Sequence, residues 1–437
     1  MQRRQFIKNV GVAATASATS SATSAVLALA TLAGCASVAP QAKAQVLIIG
    51  GGYGGATAAK YLRMWSQGSI QVTLIEPNAN FISCPMSNLV LGGSLQMADI
   101  TLSYEQLVRR HGVVLVRERA LSIDAEKRLV KLANGDSLPY DRLILSPGVD
   151  FMWEGLAGMQ RPGAQDKILH GWKAGPQTLA LRKQLESMPD GGKFVLSIPP
   201  APYRCPPGPY ERACQVAHYL SQAKPKSKVL ILDANEDVTS KGPLFKKAWA
   251  ERYRGIIEYR PKFIVAEVDV ASNTLISDFG DKVTGDVVNL IPPQRAAAIA
   301  AQAGLVNINQ RWCEVDFLSF ASTQAKHIHV LGDAIQIAPL MPKSGHMANQ
   351  HAKVCAAAVI DSLAGASPNP DPLLSNTCYS FVSDKEVIHV ASVHTYHAEK
   401  KTMLTVPGSG GVSSAANTLE GTYAMNWAKN IWADMLN

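Results

Sequence analysis

The sequence predicts an α/β protein in which a strand–helix unit occurs twice and a smaller segment follows. A β-branched strand at residues 45–49 runs into a glycine-rich turn and an apolar, helix-periodic stretch at 56–64. A similar succession of strands and helices returns after residue 178. The chain has 437 residues, of which 47% are hydrophobic and 17% charged, which is typical of a globular protein with two or three domains.

Residues 1–44 have the features of an export signal rather than of a folded element. An arginine pair, Arg3-Arg4, is followed by an Ala/Ser/Thr-rich stretch and a mildly apolar segment at 26–34, and the region contains no acidic residue. This pattern predicts a twin-arginine signal peptide, which exports proteins that have already folded. We therefore expect a periplasmic protein.

Two processing sites remain open on the sequence. Residues 32–35 resemble a lipoprotein box that would leave Cys35 as a lipid anchor, whereas residues 42–44 fit an ordinary small-residue cleavage site. No other apolar run approaches the roughly 20 residues that span a bilayer. The sequence thus predicts no transmembrane span.

The charge of the chain argues against nucleic acid as a partner. The net charge is +8, but four of the cations lie in the first 44 residues, so the remainder carries +4. No basic cluster interleaved with aromatic residues is present.

The first strand ends in a dinucleotide-binding fingerprint. Gly50, Gly52 and Gly55 satisfy G-x-G-x-x-G, with Tyr53 inside the turn and a helix predicted directly after it. Such glycines permit the tight turn and let the backbone approach a pyrophosphate at the helix N-terminus. Glu76 follows the second strand at the distance where an acid binds an adenosine ribose.

A second signature late in the chain favours FAD over NAD. The segment HVLGDA at 329–334 resembles the flavoprotein motif whose aspartate, here Asp333, binds the ribityl chain. Taken alone, the aspartate could equally cap a helix.

The remaining elements are predicted in the order of the chain. Antiparallel strands are expected at 121–132, and the strand at 143–146 ends at Pro147-Gly148. Residues after about 368 are expected to be irregular and to end in an aromatic stripe formed by Tyr423, Trp427, Ile431 and Trp432. The other predicted strands are 71–75, 193–198, 228–232, 286–291 and 328–331; the other predicted helices lie near 178–187, after Pro209 and beyond His346.

These elements predict an α/β fold with two Rossmann-like dinucleotide-binding domains and a C-terminal α+β cap or interface domain. The predicted domains are the signal peptide at 1–44, the FAD-binding domain at 45–157 and 280–345, a second dinucleotide-like domain at 158–279, and the cap at 346–437.

The second dinucleotide-like domain lacks the nicotinamide fingerprint. After its first strand the chain reads PPAPYRCPPG at 199–208. Proline has no N–H to offer a phosphate and stiffens the turn, so this loop is a poor anion cradle. NADH and NADPH are therefore not expected as reductants.

Several separated segments resemble the flavoprotein subunit of flavocytochrome c sulfide dehydrogenase, within the wider sulfide:quinone oxidoreductase group. The likeness extends over essentially the whole mature chain. Its segments are YRCPPGPYERA at 203–213, NTCYS at 376–380, TLIEPN at 73–78, WKAG at 172–175, NLIPPQRA at 289–296 and MPKSG at 341–345.

This resemblance implies a site and an activity. Cys205 and Cys378 correspond to a redox-active disulfide beside the flavin, which sulfide opens to give a persulfide and a thiolate. The implied electron route is from sulfide to FAD and then to a c-type cytochrome subunit, with sulfur or polysulfide as product. A structural staple is the alternative for the cysteine pair.

Four further residues take their roles from the same resemblance. Glu211 is implied as a carboxylate that handles protons near the disulfide, with a solvated helix N-terminal acid as the alternative. Cys84 is implied as the thioether link to the flavin, although Pro85 stands where some relatives have an aromatic residue, and a free buried cysteine is the alternative. Gly148 and Lys343 are implied as cofactor contacts.

The remaining cysteines are not expected to be catalytic, and three other functions are also compatible with the sequence. Cys214, Cys313 and Cys355 are expected to be small core residues, and the absence of C-x-x-C-H places any haem on another chain. No metal site is expected. The rival functions are a sulfide:quinone oxidoreductase, a thiol or persulfide reductase, and a flavin-bearing accessory protein that binds a sulfur-carrier protein.

Overall fold

Residues 44–437 are the part of the chain that the computed structural model describes. The predicted signal peptide, including Arg3 and Arg4, and the candidate lipid anchor at Cys35 lie outside the described residues, apart from Ala44 in the first strand.

The helices in this part of the chain range from one to five turns. They are α1 Tyr53–Trp65, α2 Ser87–Gly92, α3 Glu105–His111, α4 Ala164–Lys167, α5 Pro176–Ser187, α6 Gly208–Ala223, α7 Gly242–Arg252, α8 Ala298–Gln302, α9 Gly345–Leu363 and α10 Thr418–Leu436.

The strands are mostly short. They are β1 Ala44–Ile49, β2 Ile70–Ile75, β3 Asn80–Ile82, β4 Thr101–Ser103, β5 Val114–Val116, β6 Ala120–Asp124, β7 Leu129–Leu132, β8 Ser137–Pro139, β9 Arg142–Leu145, β10 Val149–Phe151, β11 Lys193–Ile198, β12 Lys228–Asp233, β13 Ile257–Arg260, β14 Val265–Asp269, β15 Thr274–Ser277, β16 Lys282–Thr284, β17 Val287–Leu290, β18 Gln294–Ala296, β19 Val306–Ile308, β20 Trp312–Cys313, β21 Val315–Asp316, β22 Ala321–Ser322, β23 Ile328–Val330, β24 Leu373–Phe381, β25 Val387–His397, β26 Thr402–Thr405 and β27 Gly411–Val412.

The larger sheet brings three predicted cofactor segments to one edge. Its strand order is β21-β22-β23-β9-β1-β2-β5, and the strands from β23 to β5 are all parallel. Residues 46–49 of β1 are buried throughout, as expected for a parallel strand that is covered on both faces. Because parallel strands end at the same edge, the turn after β1, Glu76 after β2 and Asp333 after β23 emerge together.

A second parallel sheet has the order β13-β12-β11-β17. Helix α6 packs on its strands β11 and β12. Two three-stranded antiparallel sheets are also present: β6-β7-β8, which confirms the antiparallel strands expected at 121–132, and β14-β15-β16, which was not predicted. The predicted α/β class is confirmed, whereas the domain boundaries stay predictions.

The prediction that residues after 368 are irregular is wrong. They form an antiparallel sheet in which β24, β26 and β27 all pair with β25, followed by the 19-residue helix α10. Polar side chains occupy buried positions in these strands: Asn376, Ser380 and His394 are at most 3% exposed. They break the apolar alternation by which a half-buried strand is recognised.

Helix α10 carries the predicted aromatic stripe and buries part of it in the core. Ile431 and Trp432 are buried, while Tyr423 at the start of the stripe is half exposed. Asp434 fixes the helix end to α1 and α9 by accepting hydrogen bonds from Tyr61 (2.5 Å) and Asn349 (2.8 Å). No helix within residues 44–437 is both long and apolar enough to cross a membrane.

Candidate active site

The glycine-rich turn is shaped by close backbone contacts. Gly50 has φ +96°, and a Cβ there would lie 2.3 Å from the Ser146 carbonyl oxygen. A Cβ on Gly55 would lie 1.8 Å from the Gly50 oxygen, so α1 approaches the turn only because residue 55 has no side chain. Gly52, in contrast, has no atom within 4 Å of the Cβ position, and the first turn of α1 carries no acid. This opening at a helix N-terminus fits an anionic pyrophosphate.

Glu76 lies beside this turn, as predicted. It is 7% exposed, and its Oε2 accepts a 2.7 Å hydrogen bond from the Gly51 N–H. Its Oε1 accepts from the backbone and side-chain nitrogens of Asn78. The carboxylate is thus held at the carboxyl end of β2, where an adenosine ribose would lie.

The Tyr53 side chain points away from the phosphate opening. Its hydroxyl lies 2.6 Å from Ser83 Oγ and accepts a 3.1 Å hydrogen bond from Trp432 Nε1. Burial raises the pKa of this phenol well above its usual range. The ring connects the turn to α10, and the charges of Cys84 and Cys205 act on its phenol.

Asp333 has an unsatisfied buried oxygen. Its Oδ1 has no hydrogen-bond partner in the described chain, and burial raises the pKa of the carboxyl, opposed by Arg204 and Lys343. His351 Nε2, which lines the same narrow cavity, is also without a partner. Buried polar atoms of this kind are normally paired, so these two atoms are partners that a ligand with hydroxyl groups, such as the ribityl chain of FAD, would satisfy.

The Lys343 ammonium forms hydrogen bonds to backbone carbonyl groups of the nearby loop. Its Nζ donates to the carbonyl oxygens of Asp333 (3.0 Å) and Ile335 and lies 3.7 Å from the centre of the Trp312 ring. Burial lowers its pKa to about 7. Gly148, with φ +68°, has open space at its Cβ position.

The two predicted redox cysteines meet although 173 residues separate them in sequence. Cys205, in the loop before α6, and Cys378, on β24, are half-buried free thiols that lie close enough for each side chain to shift the pKa of the other. The Cys205 N–H donates a 2.7 Å hydrogen bond to the Lys343 carbonyl, which places Cys205 next to the Asp333 loop. A Cβ on Gly208 would lie 2.8 Å from Cys205 Sγ, so this glycine leaves room for the sulfur.

Glu211 lies behind the cysteine pair, on the first turn of α6. Its Oε1 accepts from the Phe381 N–H and its Oε2 from Asn88 Nδ2, both at 2.7 Å. Burial raises its pKa. The carboxylate in turn raises the pKa values of Cys205 and Cys378, so Glu211 is a member of the sulfur site rather than a solvated helix acid.

Cys84 lies near the same group of residues. Its sulfur is 3.4 Å from Arg204 Nη2 and 3.5 Å from the Ala174 nitrogen. The Arg204 guanidinium also interacts with the charges of Asp333 and Cys205. Arg204 therefore lies between the proposed flavin attachment point, the ribityl-binding acid and the sulfur pair.

Sequence reasoning missed three cations of this region. Arg204 is adjacent to Cys205 in the quoted motif, and that adjacency was a usable signal. Arg212 is buried and donates only to neutral acceptors on Asn88, His170, Gly171 and Asn289. Lys241, at the start of α7, is buried against β24, and nothing in the local sequence indicated that position.

The remaining cysteines lie in the core, and the metal-binding residue types form no cluster in the described residues. Cys214, Cys313 and Cys355 are buried core residues, as predicted. Residues 44–437 contain no group of three or more His, Cys, Asp or Glu side chains that could hold a metal ion.

Comparison with known proteins identifies the family. Residues 178–292 match the model described as the central part of the sulfide dehydrogenase [flavocytochrome c] flavoprotein chain, and residues 370–436 match its flavin-binding part. Residues 44–187 match the pyridine nucleotide-disulphide oxidoreductase model. A flavocytochrome c sulfide dehydrogenase flavoprotein chain from Chlorobaculum thiosulfatiphilum is 54% identical over 46 residues, which are 94% of that sequence and 10% of this chain. The chain belongs to the flavocytochrome c sulfide dehydrogenase flavoprotein family.

More distant relatives of this family member are sulfide:quinone oxidoreductases. The mitochondrial proteins of Dictyostelium discoideum and Mus musculus are 20% and 22% identical over 66% and 67% of this chain. The aligned part covers 65% and 66% of their own lengths, just under two thirds.

Solved structures confirm the fold. The sulfide:quinone oxidoreductase from Aquifex aeolicus superposes with a TM-score of 0.73 at 19% identity, covering 90% of this chain and 91% of that one. An NAD-dependent persulfide reductase from A. fulgidus gives 0.59 at 14% identity, covering 89% and 77%. The cofactor is FAD, because residues 370–436 match a flavin-binding family model and the open turn and the unpaired Asp333 oxygen fit it.

Proposed function

We propose that the protein oxidises sulfide with bound FAD through a disulfide between Cys205 and Cys378, and passes the electrons to a c-type cytochrome subunit. The observation that carries this proposal is that the Lys343–Ser344 segment binds both the Cys205 N–H and Asn376 on the Cys378 strand, which brings the two cysteines together beside Arg204 and the Asp333 loop. A structural staple requires no such neighbours, whereas a sulfur relay to a flavin does.

The proposed chemistry begins with the opening of the disulfide. Sulfide adds to one sulfur, the sulfur–sulfur bond breaks, and the second sulfur leaves as a thiolate. When the sulfur–sulfur bond between the two cysteines forms again and the added sulfur leaves, two electrons are released, for which bound FAD would be the acceptor and from which they can leave singly. Glu211, with its pKa raised by burial, accepts the proton that sulfide loses on entering the site. Sulfur or polysulfide is the product.

A quinone is the second candidate for the electron acceptor, because the sulfide:quinone oxidoreductases align with about two thirds of the chain. Against it, the residues that would form a membrane-facing stripe on α10 include Ile431 and Trp432, which are buried. Sulfide-reduced protein mixed with a soluble c-type cytochrome or with a short-chain ubiquinone distinguishes the two acceptors by which one reoxidises the flavin faster.

The export route belongs to the same proposal. The arginine pair at residues 3–4 directs the folded, FAD-loaded chain to the periplasm, where its cytochrome partner is located. Lipidation at Cys35 is the alternative to cleavage after Ala44.

The electron donor provides the direct test of this function. Sulfide is expected to bleach the flavin under anaerobic conditions, whereas NADH and NADPH are expected to leave it oxidised. The nicotinamide loop is replaced by Pro199, Pro200 and Pro202, and the side chain of Asn235 bonds to this loop at the Pro199 oxygen and the Ala201 nitrogen. Absorbance near the flavin maximum after each addition is the measurement. Rapid bleaching by either nicotinamide would assign the protein to the reductases instead.

The flavin is expected to be covalently attached through Cys84. After acid precipitation, the wild-type protein should retain its yellow colour in the pellet, and the Cys84→Ser variant should release the colour into the supernatant. The wild-type protein and the Cys84→Ser variant should both bind FAD, since Glu76 and Asp333 are unchanged. Release of all flavin from the wild-type pellet would show that the thioether is absent.

A further inference from the structure

Lys241 is a buried ammonium attached to the strand of Cys378. It is 8% exposed, and its Nζ donates to the Cys378 carbonyl (2.9 Å), Ser380 Oγ (2.7 Å) and the Ile388 carbonyl (3.4 Å). Residue 241 has φ +56°, the left-handed region that non-glycine residues rarely adopt. Three neutral acceptors thus take all three N–H groups and fix the charge against β24.

This charge has no carboxylate partner in direct contact. Among residues 44–437, Lys241 makes no ion pair, although a buried ammonium without an anion is costly. Burial lowers its pKa, and the groups that act against burial are, in order, Cys378, Glu211, Cys205 and, last, Glu420. The sulfur site itself is therefore the place where a compensating negative charge arises.

The field of Lys241 favours one sulfur over the other. The pKa of Cys378 is lowered to about 7, first by its hydrogen bond with Cys205 and then by Lys241, against burial. At Cys205 the hydrogen bond with Cys378 and burial raise the pKa, and Glu211 outweighs Lys241. Beyond the hydrogen bond between the two cysteines, the balance of charges differs: Lys241 outweighs Glu211 at Cys378, whereas Glu211 outweighs Lys241 at Cys205.

Other charged groups around β24 do not reproduce this effect. Lys241 is the cation among them that lowers the pKa of Cys378. The titratable and charged groups facing this strand and its neighbours are Cys205, Glu211, Arg212, Lys241, His346, His389 and Glu420.

Resting on the proposed function, we propose that Lys241 is a positioning residue that places the negative charge of the opened cysteine pair on Cys378, so that sulfide adds to Cys205. In this step the hydrosulfide sulfur forms a new bond to Cys205 Sγ while the Cys205–Cys378 bond breaks. Cys205 becomes the persulfide, and Cys378 leaves with the electron pair as a thiolate. A sulfur whose thiolate is stabilised is the better leaving group, and so the cation sets the direction of the exchange.

The test compares three variants of the full-length, FAD-loaded protein. Lys241→Met removes the charge, Lys241→Arg keeps it, and Lys224→Met is the matched control. Lys224 is a buried lysine whose Nζ also donates to three backbone carbonyls, those of Leu185, Glu186 and Met188, but it is not among the groups that act on the cysteine pair.

The readout is the reactivity of each thiol after anaerobic reduction of the pair. Limited iodoacetamide alkylation is followed against pH, and mass spectrometry of the peptides assigns the label to Cys205 or Cys378. In the wild type and in Lys241→Arg, Cys378 is expected to react first at pH 7. In Lys241→Met the apparent pKa of Cys378 should rise by about one unit, which lowers its thiolate fraction at pH 7 about fivefold and shifts its alkylation profile to higher pH. Lys224→Met should alkylate like the wild type even if its melting temperature falls.

Two outcomes overturn the assignment. One is an unchanged Cys378 pH profile in folded Lys241→Met, and the other is preferential alkylation of Cys205 in the wild type. The alkylation experiment uses no sulfide. If sulfide failed to reduce the flavin of the wild-type protein, the proposed function would be contradicted, and the alkylation result would still decide the role of Lys241.

Discussion

Replacement of either Cys205 or Cys378 by serine is expected to lower the rate of sulfide-driven flavin reduction by roughly three orders of magnitude. The reason is chemical: without a sulfur–sulfur bond, sulfide has no electrophilic sulfur to attack. FAD binding should persist, because the open glycine turn and Asp333 do not depend on either side chain. Stopped-flow absorbance of the flavin after anaerobic mixing with sulfide measures the rate.

A purely structural bridge predicts a different pattern for the same variants. A disulfide that closes a loop of this length stabilises the fold by about 5 kcal/mol in the chain-entropy estimate. Its loss should then lower the melting temperature strongly and leave the rate per folded molecule unchanged. Cys214→Ser is the control, because Cys214 is a buried thiol outside the pair that accepts a hydrogen bond from Trp249. Wild-type turnover by a well-folded Cys205→Ser or Cys378→Ser protein would rule out the disulfide relay.

Substitutions in the glycine-rich turn are expected to separate folding from cofactor binding. Gly55→Ala should yield no flavin-loaded protein, since its Cβ would collide with the Gly50 carbonyl oxygen. Gly52→Ala should fold, because nothing in the chain lies within 4 Å of its Cβ, yet bind FAD at least about tenfold more weakly, because the methyl group takes the space of the pyrophosphate.

The matched control for these two is Gly155→Ala. Gly155 has an ordinary φ and open space at its Cβ position, but it lies outside the turn. FAD affinity and melting temperature are the two measurements, made in the Cys84→Ser background, from which the flavin can be removed. Normal FAD affinity in Gly52→Ala would mean that the pyrophosphate binds elsewhere.

The parts of the fold that follow local rules were predictable from the sequence. The strand β1, its glycine turn and Glu76 form a local unit whose spacing is set by backbone geometry. The predicted strand at 193–198 coincides with β11 because its side chains are apolar and almost wholly buried. The C-terminal sheet was missed because Asn376 and Ser380 are buried polar residues that find partners in Ser344 and Lys241, far away in sequence.

The site was predictable where the chemistry is carried by rare residue types, and less so where it depends on tertiary contacts. Cys205, Cys378 and Glu211 lie together as expected. Tyr53 illustrates the limit, because nothing in the sequence shows that its hydroxyl accepts a hydrogen bond from Trp432, which lies 379 residues later in the chain. Lys241 could not be found by pattern, since its position relative to Cys378 arises only when the second sheet and the C-terminal sheet pack together.

The most direct test of the account is the fate of the sulfur atom from one equivalent of sulfide. After anaerobic addition to the oxidised protein, the flavin should be reduced, and alkylation followed by peptide mass spectrometry should find one additional sulfur atom on the Cys205–Cys378 pair. A relay through this pair would be contradicted if the flavin were reduced but neither cysteine carried an added sulfur atom at any time before turnover was complete.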